Sequence, residues 1–134
     1  MNKRPPQDVE KAYSILDRLV SRYPASEYAA DAELRMIYLK NRLAAYENIV
    51  ADYYMRSGAY VAALNRAKTA LEQYNGVPSN RGSLDIMILA YEKLGMFDLA
   101  SDTRRILAEN YSDVTPMDYS DANPVIEYDD TNSP

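Results

Sequence analysis

The chain has 134 residues, enough for one small domain, and its 47% hydrophobic and 26% charged residues are close to the average of soluble globular proteins. Cysteine, histidine and tryptophan are all absent. This composition excludes disulfide bonds, thiolate metal sites, imidazole bases and cysteine nucleophiles.

The net charge of −5 is unevenly distributed along the chain. The segment 112–134 has six acidic residues and no basic one, whereas residues 1–111 carry 15 bases and 14 acids. A nearly neutral body with an acidic end argues against nucleic acid as the main partner. The same segment has three prolines and few large aliphatic residues, so we expect 112–134 to be a disordered acidic tail.

No apolar run of 18 residues is present, and Met1 is not followed by the apolar stretch typical of a signal peptide. We therefore expect this chain not to insert into a membrane by itself.

The composition favours an all-α fold. Alanine and leucine together outnumber valine, isoleucine and threonine by 29 to 18, glycine is absent before Gly58, and proline is absent from 25–77. Apolar residues at helical spacing predict about five helices, one of them long, over the ranges 8–22, 26–57, 59–74, 80–94 and 97–110.

The long second helix begins at Ser26, a good N-cap, and nothing interrupts it before Ser57 and Gly58. Its apolar residues form a seam of three heptads, consisting of Ala32, Met36, Leu39, Leu43, Tyr46, Val50 and Tyr53. A dimeric coiled coil is one interpretation of this seam. We favour packing within the chain, because the shorter helices that follow need a partner for their own apolar faces.

The later helices form a repeat. The stretch from Gly58 to Ala63 is matched 37 residues later by the stretch from Gly95 to Ala100, and a tyrosine closes each unit. This pattern resembles the tetratricopeptide (TPR) repeat, in which pairs of antiparallel helices stack into an α-solenoid. We expect the two helices of each pair to cross closely at the glycine, where a side chain would clash, and the alanines to allow close packing.

The first helix fits the same pattern as the second helix of a repeat whose first helix is missing, with Ala12 in the alanine position and Tyr23-Pro24 closing the unit. A single unit cannot bury its own apolar face, so this helix should lose packing area on its N-terminal side. We therefore expect residues 1–111 to be a TPR-like domain that is the C-terminal portion of a longer protein.

Four stretches point to a particular family, in this order along the chain: Arg22 to Tyr28 (RYPASEY), Leu39 to Glu47 (LKNRLAAYE), Val50 to Tyr54 (VADYY) and Gly58 to Arg66 (GAYVAALNR). Together they resemble the C-terminal half of the BamD/ComL family of outer-membrane lipoproteins. The lipid-bearing cysteine and the signal sequence of that family are missing from this chain. Asn75-Gly76 stands where a repeat commonly closes with proline.

The resemblance implies a non-catalytic scaffold at the periplasmic face of the outer membrane, within the complex that assembles β-barrel proteins. Its partners would be the periplasmic POTRA domains of BamA and small accessory lipoproteins. The family places an arginine that pairs with an acidic residue of BamA at the position of Arg66, so the implied protein-binding residues are Arg66, its neighbour Asn65 and Tyr60 at the turn. From the residues alone, a solvated position on the outer face of its helix is the favoured interpretation of Arg66, since most helical arginines are only that, and the resemblance reverses this preference.

The alternative function is that of a chaperone, in which the concave groove of the repeats binds unfolded outer-membrane protein segments. An enzyme would need paired carboxylates, but the acids of the body are scattered over helix surfaces. We therefore expect neither catalysis nor a metal or other cofactor.

Overall fold

The computed structural model describes residues 7–111, and this part of the chain consists of five helices and no strand. The helices are α1 (Gln7–Arg22), α2 (Ala29–Arg56), α3 (Tyr60–Gln73), α4 (Asn80–Lys93) and α5 (Phe97–Tyr111). Each helix packs against the next, and α2 also contacts α4. The predicted all-α array of TPR-like helical hairpins is confirmed, while the predicted acidic tail 112–134 lies outside the described residues.

Helix α2 is continuous over 28 residues, about 42 Å at 1.5 Å per residue. The prediction of one long helix is therefore correct, but its predicted start is wrong. The helix begins at Ala29, and the hydroxyl of Ser26 accepts a hydrogen bond from the backbone N–H of Tyr28 at 3.2 Å. Ser26 thus stabilises the turn that precedes the helix, because its side chain is satisfied two residues later by a local backbone donor.

Small side chains form the interior of the array. The alanines of the repeat, Ala63 and Ala100, are completely buried, as expected. Other fully buried alanines lie on the facing sides of the helices: Ala44, Ala51, Ala67, Ala70 and Ala90. These short side chains let helix backbones approach closely, and the larger Leu64, Leu84, Met87 and Tyr91 fill the remaining space.

The explanation of the glycines by a close helix crossing is wrong. Gly58 and Gly95 are exposed, and a Cβ atom added to either would meet no atom within 4 Å. Both have a left-handed backbone, with φ of +81° and +76°. Each ends a helix in a Schellman motif, since the residue after the glycine donates to the carbonyl five residues before it, Ala59 to Tyr54 and Met96 to Tyr91.

The heptad seam of α2 is largely covered within the single chain. Leu43 and Val50 are buried, and α1, α3 and α4 all contact this helix. Tyr53, at the end of the seam, remains 40% exposed. Neighbouring helices of the same chain thus cover most of the apolar seam that suggested a dimeric coiled coil, which agrees with the interpretation we favoured.

Helix α1 is held more loosely. Val9 is its one fully buried residue, whereas Ile15 is 59% exposed. An open cleft lies between α1 and α2, lined by Ala12, Ile15, Leu16, Arg35, Tyr38, Leu39 and Arg42. The cleft lies on the side of α1 that faces α2, so it does not test the expected loss of packing area on the N-terminal side of this helix.

Candidate protein-binding surface

The three residues predicted to bind protein all lie on α3. Tyr60 is its first residue and is half-buried, Asn65 is exposed, and Arg66 is half-buried. At 100° per residue, Tyr60 lies more than 100° around the helix from each of the other two. The structure therefore places Asn65 and Arg66 on adjoining parts of the helix surface and does not bring Tyr60 onto the same face.

Arg66 is joined to Glu47 of α2. The guanidinium Nη1 donates to Oε2 of Glu47 over 2.8 Å, and the two side chains are 27% and 5% exposed. The interpretation of Arg66 as a solvated residue on the outer face is therefore wrong, because most of the side chain is turned toward α2. About a quarter of its surface remains accessible.

The position of Glu47 explains why this pair forms. Glu47 lies on the face of α2 that packs against α3, one turn after Leu43 and one turn before Ala51, which are both buried. A carboxylate in such surroundings needs a cation and hydrogen bonds to offset the loss of water. Arg66 supplies both, since it lies on α3 one turn before the completely buried Ala70.

The charge of Glu47 is also felt by Tyr74 at the end of α3. Burial raises the pKa of the Tyr74 phenol above its ordinary value of 10.0, and the carboxylates of Glu47 and of Glu10 on α1 raise it further. The phenol therefore stays neutral at physiological pH.

A second polar cluster fastens the connection between α3 and α4 onto α2. The backbone N–H of Ser79 donates to Oδ1 of Asn41 over 2.8 Å, and the amide of Asn48 donates to the Ser79 carbonyl over 2.7 Å. The Ser83 hydroxyl donates to Oδ1 of Asn48 over 2.6 Å. Asn80 completes the cluster by bonding the backbone of Val77 and Ala70.

This polar cluster was not predicted from the sequence. Asn41 and Asn48 are seven residues apart and therefore lie on one face of α2, and Ser79-Asn80 follows Pro78 at the start of a helix. Both features are visible in the sequence, but nothing in the sequence shows that the asparagines of α2 contact the start of α4. The cluster fixes the orientation of α4 relative to α2 and so makes the surface around α3 rigid.

An open groove of about 700 Å³ lies between the α3–α4 connection, α4 and α5. Its lining is mainly apolar and includes Leu71, Val77, Leu84, Met87, Ile106 and Tyr111. Arg81 also lines the groove. Desolvation raises the pKa of the Asp85 carboxyl above its usual value, and the positive charge of Arg81 offsets only part of this increase.

Within residues 7–111 there is no cluster of three or more acidic side chains that could hold a metal ion. None of the helices described there is both long and apolar enough to cross a bilayer.

Comparison with known proteins agrees with the resemblance seen in the sequence. The YfiO family, described as an outer membrane lipoprotein, matches residues 1–106. Proteins named outer membrane protein assembly factor BamD are 46% identical over 108 residues in Neisseria meningitidis serogroup A, 40% over 107 in Vibrio cholerae and 36% over 107 in Pasteurella multocida.

These three matches cover 80–81% of this chain and 40–44% of the relatives. The chain thus spans about two fifths of the length of the curated relatives it matches. Because the family match extends over most of the 134 residues, the chain belongs to the YfiO family of outer membrane lipoproteins.

Proposed function

We propose that this chain is a non-catalytic scaffold in the assembly of outer-membrane β-barrel proteins, acting at the periplasmic face of the outer membrane. The relatives are named outer membrane protein assembly factors, and the family is described as an outer membrane lipoprotein. A rigid array of helices with a partly exposed arginine suits a role in holding other proteins together. The full-length protein would carry the lipid anchor.

The partners we propose are the POTRA domains of BamA and accessory lipoproteins of the same complex, with Arg66 in the interface and Asn65 beside it. The observation that carries this proposal is the accessible quarter of the Arg66 side chain, held at the surface by a bond to Glu47. A guanidinium offers several donors in a planar fork, so it can bind an internal and an external carboxylate together. Tyr60, which lies on another part of α3, is not included in this proposed interface.

The obvious test, Arg66→Glu, would place two carboxylates side by side in a nearly buried position. Removing one partner of a buried pair typically costs about 3 kcal/mol or more of folding stability. A loss of binding could then reflect unfolding. A better comparison is between Glu47→Gln, which keeps the arginine, and the double variant Glu47→Gln with Arg66→Gln, which removes both charges together.

The two variants should be titrated against the isolated POTRA region of BamA, with thermal unfolding followed by circular dichroism. We expect the double variant to bind at least 30-fold more weakly than Glu47→Gln, since losing one partner of an interfacial charge pair costs about 2 kcal/mol or more. Arg56→Gln is the matched control, because Arg56 is 72% exposed and pairs with Asp52 on its own helix. If Glu47→Gln and the double variant bind within twofold of each other, Arg66 does not hold the partner.

A second candidate function is direct binding of unfolded outer-membrane protein segments. The apolar groove beside α5 favours it, because extended apolar chains fit an open cleft of this size. Such a groove should bind many apolar peptides weakly and tolerate Arg66→Gln in the Glu47→Gln background. The same titrations, repeated with apolar peptides in place of POTRA domains, therefore separate the two functions.

A further inference from the structure

The two side chains of the Glu47–Arg66 pair differ in their exposure to solvent. The carboxylate end is 5% exposed and the guanidinium side chain 27% exposed, so the acid lies on the inside and the base reaches the surface. The bond between them joins two helices, α2 and α3, over 2.8 Å. The orientation of the accessible part of Arg66 is therefore fixed from behind by a residue of the neighbouring helix.

We infer that Glu47 is the positioning residue of the docking site: it holds the guanidinium in one orientation, so that a carboxylate of the partner meets a preorganised donor edge. This inference rests on the proposed function of Arg66. Glu47 itself would not touch the partner, because its side chain is almost completely covered. Its contribution is to remove the rotational freedom that a long arginine side chain would otherwise lose on binding.

The pair also sets the kind of recognition. An internal carboxylate next to the guanidinium leaves the pair with little net charge, so long-range attraction of an acidic partner is weak. Selection then depends on short-range geometry, in which two planar groups meet in a fixed orientation. A lysine at position 66 could keep the charge but could not donate in two directions from one plane.

Three single variants separate positioning from charge. Glu47→Gln keeps an oxygen that can accept the bond from Arg66 and should bind the POTRA region within threefold of wild type. Glu47→Leu fills a similar volume but accepts no hydrogen bond, which removes the hold of α2 on the guanidinium, and should bind at least tenfold more weakly. Arg66→Lys should also lose at least tenfold, because the ammonium cannot bridge both carboxylates.

A direct reading of Arg66 makes the test independent of binding. Nuclear magnetic resonance of the guanidinium nitrogens in the complete chain should show slow rotation of the Arg66 side chain in wild type and in Glu47→Gln. In Glu47→Leu the same signals should show clearly faster rotation than in wild type. Circular dichroism checks that helix content is unchanged, and Asp52→Asn, at the exposed acid of α2, is the matched control.

The inference is overturned if Glu47→Leu binds within twofold of wild type, or if Glu47→Gln loses as much affinity as Glu47→Leu. It is also overturned if Glu47→Leu loses affinity while the guanidinium signals of Arg66 stay slow, since the loss would then have another origin. Failure of the proposed function gives a different result: the double variant Glu47→Gln with Arg66→Gln would then bind the POTRA region as well as Glu47→Gln does.

Discussion

Helix α4, in the middle of the array, buries seven of its fourteen residues, whereas α1 buries one of sixteen and α5 two of fifteen. The middle helices have neighbours on more than one side, because α2 contacts α1, α3 and α4. An outer helix of a stacked repeat packs mainly on its inner neighbour and leaves its other face to solvent or to a further element. The outer helices are accordingly the part of this domain with the least packing of their own.

The two regions also differ in their polar contacts. In the middle, Asn41 of α2 accepts a buried hydrogen bond from the Ser79 backbone N–H, and Asn48 of α2 donates a partly buried one to the Ser79 carbonyl. These two bonds hold the start of α4 in one orientation. At the outer helices most side-chain bonds are local, such as the bond from the Asn110 amide to the Ile106 carbonyl one turn earlier, and the ion pair of Arg104 with Glu92 that joins α5 to α4 lies at the surface. The middle is therefore specified by contacts between distant parts of the chain, which is what a rigid binding platform on α3 requires.

Truncation of one leucine in each region should give the largest difference. Leu84 in α4 is 5% exposed and belongs to the central apolar cluster, so Leu84→Ala should cost about 3 kcal/mol of unfolding free energy. Leu16 in α1 is half-buried beside an open cleft, so Leu16→Ala should cost about 1 kcal/mol. Urea denaturation of both variants measures the two values, and equal costs would show that α1 is packed as tightly as the centre.

A matched pair of asparagines tests the polar contacts. Asn48→Ala should cost about 2 kcal/mol, because the Ser79 carbonyl and the Ser83 hydroxyl would both lose a partner in a largely buried place. Asn110→Ala, which removes an exposed local bond in α5, should change the unfolding free energy by about 0.5 kcal/mol or less. If Asn48→Ala behaves like Asn110→Ala, water replaces the lost bonds and the central cluster does not fasten α4.

The helices, the repeat and the family could be predicted from the sequence because each depends on residues close together in the chain. Helical spacing of apolar residues placed all five helices to within a few residues, and the alanines at 63 and 100 followed from the repeat. The N-cap of α2 was misplaced, because Ser26 is equally suited to the turn in which it lies.

The contents of the candidate site could be predicted only in part. The resemblance points to Arg66, and that site prediction stays a prediction, but nothing in the sequence indicates the bond of Arg66 to Glu47, although Glu47 ends the stretch LKNRLAAYE. Helical spacing shows which residues share a face and does not show which residue of another helix faces them. For the same reason the bond from Ser79 to Asn41, 38 residues away, could not be read from the sequence.

The glycines offer the last test, because the same turn occurs once in the middle of the array and once at its outer pair. Gly58 joins α2 to α3, Gly95 joins α4 to α5, and both have open space where a Cβ would lie. Replacing either glycine by a residue with a side chain then costs only the strain of the left-handed backbone, about 1 kcal/mol. We expect Gly58→Ala and Gly95→Ala to lower the unfolding free energy equally, and asparagine, which tolerates this conformation, to recover part of the loss. A cost at Gly58 several times larger than at Gly95 would mean that the central helices do cross at the glycine, and the difference between middle and ends would then lie in the turns as well as in the packing.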